Sequence, residues 1–304
     1  MARGNPVAHD PAALARLRQV RGLVLDMDGT LVLGDWANER LAPLPGAVEL
    51  VDHLRRNGLP LVVLTNGTAR PPAAYTAILR GIGFDLPDSG VLTPSLVAAE
   101  VCLRAGHARV MVLGGEGVAE PLRRAGIEVV APEGAPSVDA VLVGWFRQVR
   151  FEHLEAACAA VWGGAQLYSA SQSLYFATAG GRSLGTSRAI CAVITDLTGR
   201  RPKIVGKPSL VALRSAARRL GVRPDETAVV GDDPDLEVPM AHRGHALAVS
   251  VGTGIARAGS FSTLAVERRP HLELSGVDEL LRLYRRRNAS RARPDGGRGG
   301  AGAR

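Results

Sequence analysis

Lysine is nearly missing from this chain: of 37 Lys and Arg residues, only Lys203 and Lys207 are lysine. Both fall in the stretch KIVGKPS, residues 203 to 209. A composition bias towards arginine explains the other cations and leaves these two unexplained. Arginine carries a broad planar fork, whereas lysine carries a compact point charge that fits between a carboxylate and a phosphate in a tight cleft. An ammonium required here implies acidic partners elsewhere in the chain. Cysteine is scarce too. Cys102, Cys158 and Cys191 are odd in number, widely spaced and set in apolar surroundings, with no CxxC and no paired His. That pattern excludes a disulfide framework and predicts buried free thiols. No uninterrupted apolar run reaches the roughly 18 residues of a transmembrane helix. The opening MARGNPVAHDPAALARLRQVRG lacks the apolar core of a secretory signal. A cytoplasmic protein with no membrane partner is expected.

The chain has 304 residues, 46% of them hydrophobic and 4% aromatic. That composition fits a globular core, and the length suits about two domains. The net charge of +8 has the size of a nucleic-acid footprint, but its distribution argues otherwise. The final twenty residues, RRRNASRARPDGGRGGAGAR, hold seven Arg and one Asp, leaving the body nearly neutral. This Gly/Arg/Ala tail, 285–304, cannot bury enough apolar surface to fold and is expected to be disordered. Nucleic acid is not an expected partner beyond weak contacts of the tail.

Short β-branched runs alternate with helical periods, which predicts a βαβ series and a parallel sheet, an α/β fold. GLVLD (22 to 26) reads as a buried strand, 45 to 58 as a helix stopped at Gly58, and LVVLT (61 to 65) as the next strand. A helix through Tyr75 and Leu79 follows. Strands at 109–113 and 139–144 and helices near 117–125 and 151–162 form a middle α/β unit of their own. Residues 169 to 186, SASQSLYFATAGGRSLGT, read as a loop. Helices at 187–198 and 208–220, strands at 226–232 and 245–252, and a last helix near 276–287 complete the series.

The acidic partners stand at strand ends. Asp26 and Asp28 close the apolar run LVLD, with Gly29 and Thr30 directly after, and Asp232, Asp233, Asp235 and Glu237 crowd the end of TAVVG. Ligands of open α/β sheets collect at such ends. Carboxylates this close repel unless a cation neutralises them, and an oxygen-only set suits Mg²⁺ with a substrate phosphate. A third strand ends in Thr65-Asn66-Gly67, whose groups can donate hydrogen bonds, and Lys207 completes a set suited to phosphoryl transfer. Each piece alone also occurs as a solvated turn or helix cap.

In this order the pieces resemble the four motifs of the haloacid dehalogenase (HAD) superfamily: Asp26-Met27-Asp28-Gly29-Thr30, Thr65-Asn66, Lys207 in Gly206-Lys207-Pro208, and Gly231-Asp232-Asp233. About 140 residues separate the second motif from the third. An insertion there is similar to the type IIA branch, which holds 4-nitrophenylphosphatase-like and pyridoxal-phosphate-phosphatase-like proteins. VLTPSLVAAE, RVMVLGGEGVAEPLRRAGIE and VDAVLVGWFRQVRFEHLEAA are also similar to segments of that branch. The resemblance implies a doubly wound, Rossmann-like parallel-sheet core over 1–90 and 200–284 and an inserted α/β cap of the C2 type over 91–199.

It further implies a Mg²⁺-dependent phosphatase acting on a small phosphorylated metabolite. Asp26 is then the nucleophile that forms an aspartyl-phosphate, and Asp28 the general acid and base. Thr65, Asn66 and Lys207 bind the phosphoryl group. The metal ligands implied are Asp26, the Asp28 backbone carbonyl and Asp232, with Asp233 or Glu237 as candidates to complete the shell. The branch usually has Asp where this chain has Glu237. The cap loop reads Ser169-Ala170-Ser171-Gln172-Ser173 in place of a Thr-Asn-x-Asp loop, and the stretch 164–187 is expected to set substrate choice. Trp145 and Phe146 are expected to be buried and Arg147 exposed. His153, His242 and His245 read as structural or exposed, and Lys203 as a surface residue. The same core could instead serve a phosphotransferase or mutase, or a non-catalytic metabolite- or RNA-binding protein. Self-association is left open, since no coiled-coil seam is present.

Overall fold

The computed structural model describes residues 9–34, 41–134, 137–178, 181–255 and 259–291. The chain runs through α1 (Pro11–Gln19), β1 (Gly22–Leu25), a two-strand ribbon β2 (Val32–Leu33) and β3 (Ala42–Pro43), α2 (Ala47–Arg56), β4 (Leu61–Leu64), α3 (Pro72–Gly81) and β5 (Val91–Leu92). The middle follows with α4 (Pro94–Ala105), β6 (Arg109–Leu113), α5 (Glu116–Arg124), β7 (Glu128–Val130), β8 (Ala140–Val143), α6 (Phe151–Trp162), β9 (Gln166–Ser169), β10 (Tyr175–Thr178), β11 (Gly181–Leu184), α7 (Thr186–Thr198) and β12 (Lys203–Ile204). The remainder is α8 (Leu210–Leu220), β13 (Thr227–Gly231), α9 (Glu237–Arg243), β14 (Leu247–Val251), β15 (Leu272–Leu274) and α10 (Val277–Arg291).

Two sheets organise these elements. The first has the order β15-β14-β13-β1-β4-β5, and every pairing in it is parallel. Strand β1 reads GLVL and is buried throughout, as expected of a parallel strand covered on both faces. Its side chains alternate between two cores. Leu23 and Leu25 join Leu50 and Leu54 of α2, Leu79 of α3 and Leu280 of α10 on one face. Val24 joins Ala98 of α4, Leu213 of α8 and Val238 of α9 on the other. This is the parallel α/β sheet expected from the alternating pattern and the doubly wound core implied by the resemblance.

The second sheet has the order β12-β9-β8-β6-β7, again all parallel. One face packs Met111, Val141 and Leu167 against Ala157 of α6 and Ile190 and Ile194 of α7. The other presents Val110, Leu142 and Tyr168 to the same cluster that holds Val97 and Ala98 of α4. Helix α4 therefore lies in a core common to both sheets, and the inserted α/β cap sits directly on the first unit. Strand pairing assigns Val91–Leu92 to the first sheet and Lys203–Ile204 to the second.

Two local expectations are corrected. The stretch 169–186 is not all loop, because β10 and β11 pair as an antiparallel hairpin with Tyr175 opposite Leu184. The last helix continues to Arg291, so 285–291 is helical and not part of a disordered tail; apolar Leu280, Leu281 and Tyr284 anchor it upstream. Residues 292–304 of the expected tail lie outside the described residues. All three cysteines are buried and free. Among the described residues, no helix is long and apolar enough to cross a membrane.

Candidate active site

Strands β13, β1 and β4 are adjacent and parallel, so their carboxyl ends emerge side by side. The next residues are Asp232, Asp26 and Thr65. This is the edge where open α/β sheets bind ligands. The Asp26 main-chain N–H donates to the carbonyl of Val230, 2.8 Å away, which locks the first motif to the fourth. Asp26 and Asp232 are both at most 5% exposed. The Thr30 hydroxyl donates to Asp26 Oδ2 at 3.1 Å and lies 3.5 Å from Asp232 Oδ1, so one hydroxyl spans the two carboxylates. Gly29 turns the chain between them at φ +80°, and a Cβ there would sit 2.5 Å from Asp232 Oδ2.

Lys207 enters from the segment between β12 and α8. Its ammonium is 3% exposed, in contact with Asp26 Oδ1 and 2.7 Å from Glu237 Oε1. Burial alone pushes an ammonium's pKa down, but the Asp26 and Glu237 carboxylates more than reverse this, so Lys207 stays charged. Glu237 Oε2 accepts from the Asp233 N–H at 3.0 Å. The longer glutamate fits because residue 231 is glycine: a Cβ there would lie 2.1 Å from Glu237 Cγ. Burial raises the Glu237 carboxyl to about 7 despite the pull of Lys207.

Glu237 and Asp233, the candidates to complete a metal shell, both have protein partners here. Glu237 divides its oxygens between Lys207 and a main-chain amide, and Asp233 Oδ1 accepts the Asp235 N–H at 2.8 Å, capping its own turn. Among the described residues, no three His, Cys, Asp or Glu side chains converge as metal ligands. What converges is two buried carboxylates, Asp26 and Asp232, bridged by the Thr30 hydroxyl. Such a hard-oxygen pair fits Mg²⁺, which retains several waters and is held by one or two carboxylates and a phosphate. Burial, then the Asp26 and Glu237 charges, lifts the Asp232 carboxyl well above its ordinary range, so the cluster lacks positive charge.

Asp28 combines surface open to solvent with dense surroundings of Asp26, Lys207, Thr65 and Tyr75. Desolvation by these neighbours, then the Asp26 charge, pushes its carboxyl up from the ordinary carboxylate range, against the lowering effects of Lys207, a Thr65 hydrogen bond and the water at its exposed surface. Thr65 is buried, and its hydroxyl also accepts the Gly67 N–H at 2.9 Å. Asn66 is engaged through its side-chain amide. Its Oδ1 accepts the Lys207 N–H at 2.8 Å, and its Nδ2 donates to the Lys207 carbonyl at 3.0 Å and to Ser171 Oγ at 3.3 Å. The amide thus clamps the Lys207 backbone and touches the cap loop.

The other sequence candidates lie around this centre. Trp145 and Phe146 are half-buried, not fully buried as expected, and Arg147 is exposed. The Arg147 guanidinium lies 6.0 Å from the Trp145 ring centre, and the Trp145 N–H donates to Thr68 Oγ1 at 2.9 Å, tying the cap to the loop after Asn66. His153 is buried with its Nδ1 accepting the Arg150 N–H, a structural role, and Lys203 is exposed. Thr30 and Ser171 were named from sequence only as members of the first motif and the cap loop, and the turn 253–255 was not singled out. The turn had a signal: AVSVGTG runs an apolar strand into Gly-Thr-Gly, as the other site strands run into small polar turns.

The comparisons agree with this geometry. The haloacid dehalogenase-like hydrolase model matches residues 23–128, and a HAD-hydrolase-like model matches 204–280. An acid sugar phosphatase of Staphylococcus aureus is 30% identical over 223 residues, 73% of this chain and 82% of that protein. The 4-nitrophenylphosphatase of Thermotoga maritima superimposes with a TM-score of 0.78 at 25% identity, over 88% of this chain and 98% of that one. A glycerol phosphate phosphatase of Mycobacterium tuberculosis, solved in complex with magnesium, gives a TM-score of 0.76 at 26% identity, over 88% of this chain and 77% of that one. With the motifs, sheet order and cap all in place, the chain belongs to the haloacid dehalogenase-like hydrolases, in their 4-nitrophenylphosphatase-like type IIA branch, and is a phosphatase of that family.

Proposed function

We propose that the protein is a Mg²⁺-dependent phosphomonoester hydrolase of small phosphorylated metabolites, working through an aspartyl-phosphate on Asp26. The observation that carries this reading is the buried Lys207 ammonium seated between Asp26 and Glu237, at the edge where Asp232 also emerges. A buried lysine seated on a buried aspartate holds that carboxylate in place, as an attacking group must be held. The Asp26 carboxylate attacks phosphorus, the bond to the leaving oxygen breaks, and Asp28 gives that oxygen a proton. Asp28 then takes a proton from the water that attacks the acyl-phosphate, which releases phosphate and restores Asp26. Lys207 faces the phosphoryl oxygens as charge builds on them. Thr65 offers its hydroxyl there, and Asn66 offers its main-chain N–H, since its side chain holds Lys207. Asp26, Asp232 and the Asp28 carbonyl would hold the Mg²⁺, with Asp233 and Glu237 supporting from outside. When bound, the ion offsets repulsion between the Asp26 carboxylate and the phosphate.

The cap, taken as the unit between Leu92 and Val205, closes over the leaving group, and its 164–187 stretch selects the substrate. Support comes from Ser171, which already reaches Asn66. The names of the relatives point to sugar and glycerol phosphates as first substrates to assay. A cytoplasmic location fits such metabolites. The test is phosphate release from a panel of phosphorylated metabolites and 4-nitrophenyl phosphate, with Mg²⁺ or EDTA, for wild type and Asp26→Asn. Turnover that requires Mg²⁺ and vanishes in Asp26→Asn is expected. Turnover that survives Asp26→Asn contradicts the mechanism.

A further inference from the structure

We propose that the turn Thr253-Gly254-Ile255 is a positioning device for Asp232, fixing which carboxylate oxygen faces the metal. The inference rests on the Mg²⁺ reading of the site above. The turn follows β14, the neighbour of β13 in the sheet, so it leaves the same carboxyl edge as Asp232. Three contacts join it to the catalytic loops. The Ile255 N–H donates to Asp232 Oδ2 at 2.7 Å. Gly254 lies so close that a Cβ would fall 1.9 Å from the same oxygen and 2.5 Å from Asp232 Cγ. The Thr253 hydroxyl donates to the Gly29 carbonyl at 2.6 Å.

These contacts enclose one oxygen of Asp232 and leave the other open. Gly29 approaches Oδ2 from the first motif and Gly254 from the turn, and a Cβ on either would enter the space the oxygen occupies. Oδ2 therefore accepts a main-chain N–H inside a glycine cradle. Oδ1 is the oxygen that points towards Thr30 and Asp26. A carboxylate held at one oxygen in this way cannot swing to chelate with both, so it presents a single ligand oxygen in a fixed direction. Magnesium demands near-ideal octahedral geometry and gains most from such preorganisation. The Ile255 side chain is 54% exposed, so the work falls to its amide and to the absence of a side chain at 254. The Thr253 bond sets the turn against the first motif, so Asp26 and Asp232 keep their spacing.

The test reads Mg²⁺ affinity directly, by isothermal titration calorimetry on the full chain without substrate. Gly254→Ala should displace the carboxylate and Ile255→Pro should remove the amide donor. Each should weaken Mg²⁺ binding about 10- to 100-fold, the usual cost of losing support behind a metal ligand. Ile255→Ala, which keeps the N–H, should bind Mg²⁺ like wild type. Thr253→Val, a near-isosteric change that removes only the hydroxyl, provides a weaker lesion should the backbone variants fail to fold, and it should also lose affinity. Steady-state kinetics should place the defect in the Mg²⁺ concentration needed for half-maximal rate, with little change in kcat at saturating Mg²⁺. Wild-type affinity in folded Gly254→Ala, or in Thr253→Val where Gly254→Ala does not fold, overturns the positioning role while leaving the phosphatase reading intact. A wild-type chain that takes up no Mg²⁺ overturns both.

Discussion

Lys207 illustrates how a single side chain can be chosen by its surroundings. It must lie between two carboxylates in a space 3% exposed, with its main chain gripped on both sides by the Asn66 amide. A guanidinium would need room for a planar fork that the cleft does not offer. Lys207→Arg should therefore fold but lose about 10²- to 10³-fold in kcat, the scale of removing one preorganised charge-stabilising donor; steady-state kinetics beside a thermal melt checks this. Glu237→Ala strips one partner from a buried ion pair. Such losses cost about 3–5 kcal/mol of stability, and because Lys207 retains Asp26 the lower end is expected, read by urea unfolding. The presence of Asp26, Asp28, Lys207 and Asp232 was legible in sequence, since each sits at the end of an apolar strand or in a distinctive turn. The partnership of Glu237 with Lys207, and of Asn66 with the Lys207 backbone, was not. Both depend on where side chains of different segments meet, and spacing carries no such information.

At the scale of elements, periodicity located the site strands and most helices, because each buried strand is apolar on both faces and each helix has a distinct buried stripe. It missed short pieces such as β5 and β12, whose two residues carry no period of their own and are strands only by pairing with β4 and β9. The start of α8 is tied to the site. Ser209, two residues after Lys207, caps the helix by accepting the Ala212 N–H at 3.2 Å. Ser209→Ala should cost about 1 kcal/mol, measured by chemical denaturation. Strands β14 and β15 carry a pH-dependent contact. His271 Nδ1 accepts the Ala248 N–H at 2.9 Å, and burial, then Arg16 and His242, lower the imidazole from its ordinary 6.5 to about 4. The unfolded chain thus takes up this proton first as pH falls. The His271 contribution is complete above pH 6.5 and is lost between 6.5 and about 4. Unfolding free energies across that window should show the slope, and His271→Gln, which cannot titrate, should flatten it.

At the scale of the molecule, the decisive feature is the shared core. Val97 and Ala98 of α4 join Leu64 of the first sheet and Val110 of the second in one cluster, so the cap is seated over the strand ends by apolar packing. The order of motifs made this two-sheet plan legible, since a long insertion between the second and third motifs leaves room for a second α/β unit. Its seating depends on tertiary packing and was not legible. The polar link from Asn66 to Ser171 then brings the cap loop to the residue that follows Thr65 at the strand ends. Replacing 164–187 with the corresponding stretch of a relative should change the ranking of substrates while leaving the Mg²⁺ requirement unchanged, as read on the phosphate-release panel. The central claim is that Asp26 is the atom donor to phosphorus, and trapping the intermediate tests it most directly. Wild-type enzyme quenched in acid during turnover, digested and examined by mass spectrometry should carry one phosphoryl group on the peptide containing Asp26, absent in Asp26→Asn. Rapid turnover with that peptide unmodified, or with the phosphoryl group on another residue, would contradict the account.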